Sequence, residues 1–327
     1  MDNTKASSLL ELNMRKPIET DITISYSQFS MFCHCPYRWK LNYVDNLKVS
    51  TPSIYTLFGT SLHETIQHWL TIMYSKTIKE AEQLDLFVYL KERLTENYKE
   101  QYIANNNNHF TTKEQLLEFW SDGCKILTFL QKKRSKWFST KGYNLMGIET
   151  PILYQASEKN PNVKMLGYLD VILYDTTLYR PYILDIKTST KGWYSEKKDR
   201  IKCNQLVLYK YYFSKQYDFD YNSIDIDFFI TKRKILEDPD LAFTIPRIST
   251  FTPTSGPIIL KNLIHDIDTF IEFAFNQDGS KKDNITYPAI CGDKLENCKW
   301  CEFKNDYKKC PPLLRRHTNT IFELKQK

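Results

Sequence analysis

The sequence predicts an α/β core, preceded by a helical region and followed by a small cysteine-rich appendage that binds metal. Three observations carry this reading. Apolar residues recur at helical spacing through the first 140 positions, short β-rich runs follow after Gly142, and four cysteines crowd into the tail beyond Tyr287.

Taken in order, residues 1–24 read as a flexible N-terminus. The segment 25–140 is helical in pattern. Ser25 to Tyr43 reads as one helix, capped by Ser25 or Ser27 and carrying Phe29, Phe32, Pro36 and Trp39. Thr60 to Tyr74 reads as a second, with Leu62, Ile66, Trp69 and Met73 at helical spacing. Helical periodicity continues over about 79–104 and 112–137, separated by the polar loop Asn105 to Asn108. The segment 141–256 holds the α/β core. Met146–Tyr154, Lys164–Tyr174 and Tyr182–Thr188 read as strands, Cys203–Lys215 as a helix and Ile224–Thr231 as a further strand, with irregular chain over 235–256. The segment 257–327 brings an amphipathic helix, Leu260–Phe275, and then the cysteine-rich tail.

At 327 residues, with 42 % apolar and 26 % charged, the composition is that of an ordinary globular protein. No apolar run approaches the roughly 20 residues that span a bilayer. The N-terminus lacks the uninterrupted apolar stretch of a secretory signal. An intracellular, cytoplasmic protein is therefore expected, in which the eight cysteines serve as metal ligands or core residues and not as disulfides. Only 9 glycines, against abundant Tyr, Phe, Lys and Asn, fit a low-GC genome such as that of a virus or phage. The net charge of +6 suits a polyanionic partner without identifying one. Basic runs stand at Lys132, Lys133, Arg134 and Lys136, at Lys197, Lys198, Arg200 and Lys202, and at Lys232, Arg233 and Lys234. Such runs are ordinarily solvated faces, and phosphate contact is their second reading.

The chemistry concentrates in Gly167-Tyr168-Leu169-Asp170 and Asp185-Ile186-Lys187-Thr188-Ser189. Side chains alternate faces along a strand, so Asp185 and Lys187 share one. If the two segments fold back as a hairpin about the connection near Thr176–Tyr179, residues whose numbers sum to about 355 oppose each other, and Asp170 meets Asp185. Two carboxylates and an ammonium on one face suit a site that binds Mg²⁺ or Mn²⁺ and acts on a phosphodiester. The lysine would position or deprotonate the attacking water, or offset charge on the phosphate. A D-x-K triplet by itself fits a salt-bridged strand pair equally well.

Four motifs then occur in the order of a known family: Phe58-Gly59-Thr60-Ser61-Leu62-His63-Glu64, the strand ending in Asp170, the Asp185-x-Lys187 triplet, and Gln205-Leu206-Val207-Leu208-Tyr209. In these the chain resembles the RecB-type branch of the PD-(D/E)xK nucleases, which includes the CRISPR-associated exonucleases and the AddB nuclease domain. The resemblance implies a restriction-endonuclease-like core, a mixed β-sheet flanked by helices. It implies His63, Asp170 and Asp185 as ligands of the catalytic Mg²⁺ or Mn²⁺, and Lys187 as the catalytic lysine. Gln205 and Tyr209, four apart on one helical face, would place substrate or the lysine. Many members carry E-x-K where this chain has D-x-K; the family uses both. The helical segment at about 79–137 matches no family motif and would shape the DNA channel.

The cysteines of the tail run Cys291-x6-Cys298-x2-Cys301-x8-Cys310, a metal-ligand spacing with two readings. All four would hold zinc, or Cys298, Cys301 and Cys310 would join a distant cysteine around a [4Fe–4S] cluster. Cys35-Pro36-Tyr37-Arg38-Trp39 resembles the segment that supplies the first cluster ligand in the iron–sulfur members of the branch, which implies Cys35 as the fourth ligand. The spacing from Cys301 to Cys310 exceeds the family's, and Cys291 and Cys33 are the substitutes within reach. Cys124 and Cys203 sit in helical patterns as structural residues. Lys299, Lys304, Lys308, Lys309, Arg315 and Arg316 would face a phosphate backbone, and Trp300, Phe303 and Tyr307 either stack on bases or pack around the metal.

The expected function is a metal-dependent DNA nuclease, an exonuclease acting on single-stranded ends in recombination, repair or replication. The chain holds no G-x-x-x-x-G-K-[ST] signature, so any helicase would be a separate partner. The competing expectation is a non-catalytic accessory protein that keeps the scaffold and either binds nucleic acid without cutting it or serves as a structural assembly component.

Overall fold

A computed structural model describes residues 18–48, 51–193, 200–235, 245–318 and 320–321. The flexible segment expected at the N-terminus lies outside them up to residue 17, as do Lys197 and Lys198 and residues 236–244. The elements, in chain order, are β1 (Ile22–Ile24), α1 (Tyr26–His34), α2 (Pro36–Tyr43), α3 (Ile54–Ser75), α4 (Ile78–Glu82), α5 (Leu86–Ala104), α6 (Lys113–Lys132), β2 (Tyr143–Ser157), β3 (Asn160–Asp175), β4 (Arg180–Ser189), α7 (Arg200–Gln216), β5 (Asp225–Lys232), β6 (Ile248–Phe251), α8 (Pro257–Ala274), β7 (Ala289–Ile290) and β8 (Arg315–Arg316). They form two compact units.

The described part of the first unit covers residues 51–150 and 168–254. Its sheet is mixed. The second half of β3 runs antiparallel to β4, β4 parallel to β5, and β5 antiparallel to β6, while β2 pairs with β3. The strand β6 falls in the stretch that sequence pattern left irregular; its four residues are too few to show a period. A parallel pair needs a crossover, and α7 supplies it between β4 and β5.

One face of this sheet builds the core. Leu57, Phe58, Leu62, Ile66 and Trp69 of α3 pack with Leu90 and Leu94 of α5, Ile126 and Leu130 of α6, and Val171, Leu184, Ile186 and Phe229 of the strands. Each such fully buried side chain stabilises the fold by about 1.5–3 kcal/mol. The helix α3 starts at a capping box, with Ser53 Oγ accepting the Thr56 N–H and Thr56 Oγ1 accepting that of Ser53. Gly123 lets α6 close on its neighbours: a Cβ there would lie 2.5 Å from Leu90 Cδ2 and 3.1 Å from Phe58 Cε2.

The second unit covers 15–50, 151–167 and 255–327, again as far as it is described. Here β1 pairs in parallel with the first half of β3, Ile22 opposite Val163 and Ile24 opposite Met165. The single helix expected over Ser25–Tyr43 is two. Pro36 has no N–H and disfavours helical backbone in the residue before it, so Cys35 is extended at φ −157° and ψ 99°, and Pro36 opens α2. Trp39, fully buried, packs edge-on to Phe270 of α8 at 5.3 Å between ring centres, with Phe32 at 4.5 Å from the same ring. Among the described residues, no helix is long and apolar enough to cross a membrane.

Candidate active site

The hairpin β3–β4 sets the site. At its turn Asp175 Oδ1 accepts the N–H groups of Thr177 and Leu178 at 2.8 and 2.9 Å, and Tyr179 takes a left-handed φ of 54°. The ladder then pairs Asp175 with Arg180 and runs to Val171 opposite Leu184, the register whose next step sets Asp170 against Asp185. Leu184 and Ile186 belong to the core, so Asp185 and Lys187 point to the other face, toward α7.

Helix α3 brings its histidine to the same place. It approaches β4 closely at Gly59, where a Cβ would lie 3.1 Å from Thr188 Oγ1. One turn on, His63 Nε2 stands 2.8 Å from the Ile186 carbonyl oxygen and 3.1 Å from Asp170 Oδ2. Bonded to a carbonyl, Nε2 carries the proton and donates. Asp170 Oδ2 also accepts the Ile186 N–H at 2.6 Å.

The opposite side is held by Lys187. Its Nζ lies 2.7 Å from Asp185 Oδ2 and donates to Gln205 Oε1 at 3.1 Å. Gln205 Nε2 in turn donates to the Tyr209 hydroxyl at 3.2 Å, the i,i+4 pair on α7. Asp185 Oδ2 sits in charge contact with Lys187 yet accepts no aligned hydrogen bond, although Asp185 is only 2 % exposed. The structure thus brings His63, Asp170, Asp185, Lys187, Gln205 and Tyr209 together.

Burial sets the electrostatics. It pushes the Asp185 carboxyl up to about 6, against Lys187, which lowers it, and with Asp170, which adds repulsion. Burial works against charge on His63 and Lys187 as well, but in both the neighbouring carboxylates prevail and hold the proton more tightly than usual. The fully assembled cluster is rich in hard oxygen donors plus one imidazole, a donor set that suits Mg²⁺ or Mn²⁺.

One residue at this site is missed by reading the sequence. Glu149 of β2 offers a carboxylate oxygen that, with donor atoms of His63 and Asp170, makes a group lying within 4.8 Å of one another. Its φ is +47°, a conformation that an L residue adopts at a disadvantage of about 1–2 kcal/mol. Gly147, a glycine inside a strand pattern, was the signal for a local distortion: a Cβ there would collide with Thr150 Oγ1.

The cysteines form a separate centre in the second unit. Cys35, Cys291, Cys298, Cys301 and Cys310 line one cavity of about 20 Å³ together with Tyr37, Leu41 and Phe303. Cys33 does not line it, and none of the eight cysteines forms a disulfide. Cys35 Sγ accepts the Arg38 N–H at 3.4 Å, and burial pushes the thiol up to about 11. Cys291 Sγ instead donates to the carbonyls of Arg316 at 3.2 Å and Gly292 at 3.4 Å. Around the cavity Arg38 pairs with Glu302 at 2.6 Å, Asn42 donates to the same carboxylate, and the Tyr37 hydroxyl donates to the Lys309 carbonyl. Of the three candidate stacking residues, Phe303 is buried and packs with Leu41 and Cys310, whereas Trp300 and Tyr307 are 80 % and 64 % exposed. Cys124 and Cys203 are half-buried on α6 and α7.

The basic run at Lys232–Lys234 is not an open face. Arg233 and Lys234 both pair with Glu118 and Asp122 of α6, and the Arg233 guanidinium lies 3.9 Å from the Phe119 ring centre.

The sequence profile of the PD-(D/E)XK nuclease superfamily matches residues 23–305 of the chain. No curated protein matches it.

Proposed function

The chain belongs to the PD-(D/E)XK nuclease superfamily, and from that premise we propose that it hydrolyses DNA phosphodiesters with Mg²⁺ or Mn²⁺ held by His63, Asp170 and Asp185. The observation that carries the proposal is His63 Nε2 3.1 Å from Asp170 Oδ2, with Asp185 near enough to feel both charges and the Lys187 ammonium 2.7 Å from Asp185 Oδ2. A divalent cation bound there supplies a Lewis acid for the phosphodiester and for the attacking water. With its proton carried on Nδ1 in place of Nε2, His63 would hold the cation through Nε2, which stands 2.8 Å from the Ile186 carbonyl. Lys187 is held protonated by two carboxylates, so its role is to offset charge on the phosphate and not to accept a proton. Gln205 fixes that ammonium from α7, and Tyr209 fixes Gln205.

The further reading is an exonuclease of the RecB type that acts on single-stranded ends in recombination, repair or replication. It rests on the order of the four motifs and on Gln205 and Tyr209 standing beside the lysine. A separate helicase would deliver such ends. Eight cysteines outside any disulfide suit a reducing compartment such as the cytoplasm. In the second unit the proposed group is a [4Fe–4S] cluster on Cys35, Cys298, Cys301 and Cys310. That reading rests on Cys35 lining one cavity with the three tail cysteines. Cys291 is spoken for by its carbonyl partners.

End-labelled linear DNA, single- and double-stranded, and a covalently closed circle test this reading. Shortening from one labelled end with the circle intact is expected. Cutting of the circle would replace the exonuclease with an endonuclease, and binding without cutting would leave an accessory protein.

A further inference from the structure

Next to the proposed metal ligands stands a carboxylate that none of the recognised motifs contains. We propose that Glu149 is a ligand of the same cation as His63 and Asp170, and that Gln67 is its positioning residue. The inference rests on the reading of this site as a metal centre.

Distance is the first argument. Ligand atoms around one Mg²⁺ or Mn²⁺ at about 2.1 Å are separated by roughly 3.0 Å when adjacent and 4.2 Å when opposite. The donors of His63, Glu149 and Asp170 already lie within 4.8 Å of one another, so side-chain movements of at most about 2 Å close the set.

Orientation is the second. Gln67 lies one turn beyond His63 on α3 and is 6 % exposed. Its Nε2 donates to Glu149 Oε1 at 2.6 Å and to the Asp170 carbonyl oxygen at 3.1 Å. An amide N–H cannot itself bind a cation. It ties the Glu149 carboxylate to the strand that carries Asp170, and no described residue hydrogen-bonds Oε2.

Backbone strain is the third. Glu149 keeps a left-handed φ of +47° at a position that is exposed as a residue. Neither of the residue types that suit this conformation, glycine or asparagine, occupies the position. Strained positions cluster at active sites and ligand clamps, where the backbone conformation holds a side chain to what it must reach.

Calorimetric titration of the full-length protein with Mn²⁺, together with melting curves, tests the assignment. Glu149→Gln is expected to weaken Mn²⁺ binding by about 10–100-fold, and Gln67→Met to weaken it less, with the cation-free Tm changed little. Glu149→Gly is expected to raise the cation-free Tm by about 1–3 °C by releasing the strain, and yet to lose Mn²⁺ affinity as Glu149→Gln does. A mere staple between helix and strand gives the opposite pair of results: a lower Tm and unchanged affinity. Wild-type affinity in Glu149→Gln, with binding lost in Asp185→Asn, overturns the role of Glu149 alone. Absence of Mn²⁺ binding by the wild type overturns the metal centre itself.

Discussion

His63 Nε2 lies 3.1 Å from Asp170 Oδ2, so a helix and a strand far apart in sequence share one proton-binding point at the centre of the site. The imidazole donates to a carbonyl there, the carboxylate accepts a backbone N–H, and Asp185 adds a second, buried carboxyl nearby. A cation and the resident protons must compete for these atoms.

That competition gives a pH dependence with a definite sign. The Asp185 carboxyl is pushed from 3.8 up to about 6, and His63 is raised above its ordinary 6.5. Between about pH 4 and 7 the unfolded chain releases protons that the folded chain keeps. The cation-free fold therefore loses stability as pH rises through this window, by on the order of a few kcal/mol. Melting curves should show Tm falling over that range, less steeply in Asp185→Asn. Equal slopes in the two proteins would contradict the placement of the proton.

Lys187 separates binding from chemistry. Lys187→Met should lower cleavage by at least about 10²-fold while Mn²⁺ affinity changes little, because the ammonium is no ligand. Lys187→Arg should not restore the rate, since a guanidinium does not fit the point between Asp185 and Gln205. Near-normal turnover by Lys187→Met would remove the residue from the mechanism.

The reach of the sequence is clearest at the hairpin. Strand alternation and a short turn were enough to align Asp170 with Asp185, and the observed ladder from Asp175–Arg180 to Val171–Leu184 keeps that register. The helix carrying His63 was also legible from its apolar spacing. Glu149 was not, because its place depends on a left-handed backbone and a hydrogen bond from another element, neither of which has a period. The break at Cys35 was readable in principle from Pro36, but the apolar pattern that continues through Trp39 masked it. The partners of Arg233 were hidden for another reason: Asp122 and Glu118 sit on a helix remote in sequence.

Arg233 provides a control for charge. Asp122 is nearly buried, and removing its guanidinium partner leaves only Lys234 to balance it. Arg233→Met should destabilise the fold by on the order of 2–3 kcal/mol in urea unfolding. DNA affinity per folded molecule should stay unchanged. A selective loss of DNA binding with full stability would reassign the residue to the nucleic-acid surface.

The cysteine cavity makes a prediction in metal content. Protein purified without oxygen should carry about four irons per chain and absorb visible light. Cys35→Ser, Cys298→Ser, Cys301→Ser and Cys310→Ser should each lose both properties. Cys33→Ser should keep them, since Cys33 does not line the cavity, and so should Cys291→Ser. One zinc and no iron would overturn the cluster in favour of the four-thiolate site of the tail.

The most direct test of the central claim is cleavage of end-labelled DNA by the wild type and by Asp185→Ala, side by side, with Mn²⁺ and with EDTA. The account predicts cutting by the wild type with Mn²⁺ only, and none by folded Asp185→Ala under either condition. Undiminished cutting by Asp185→Ala would contradict it.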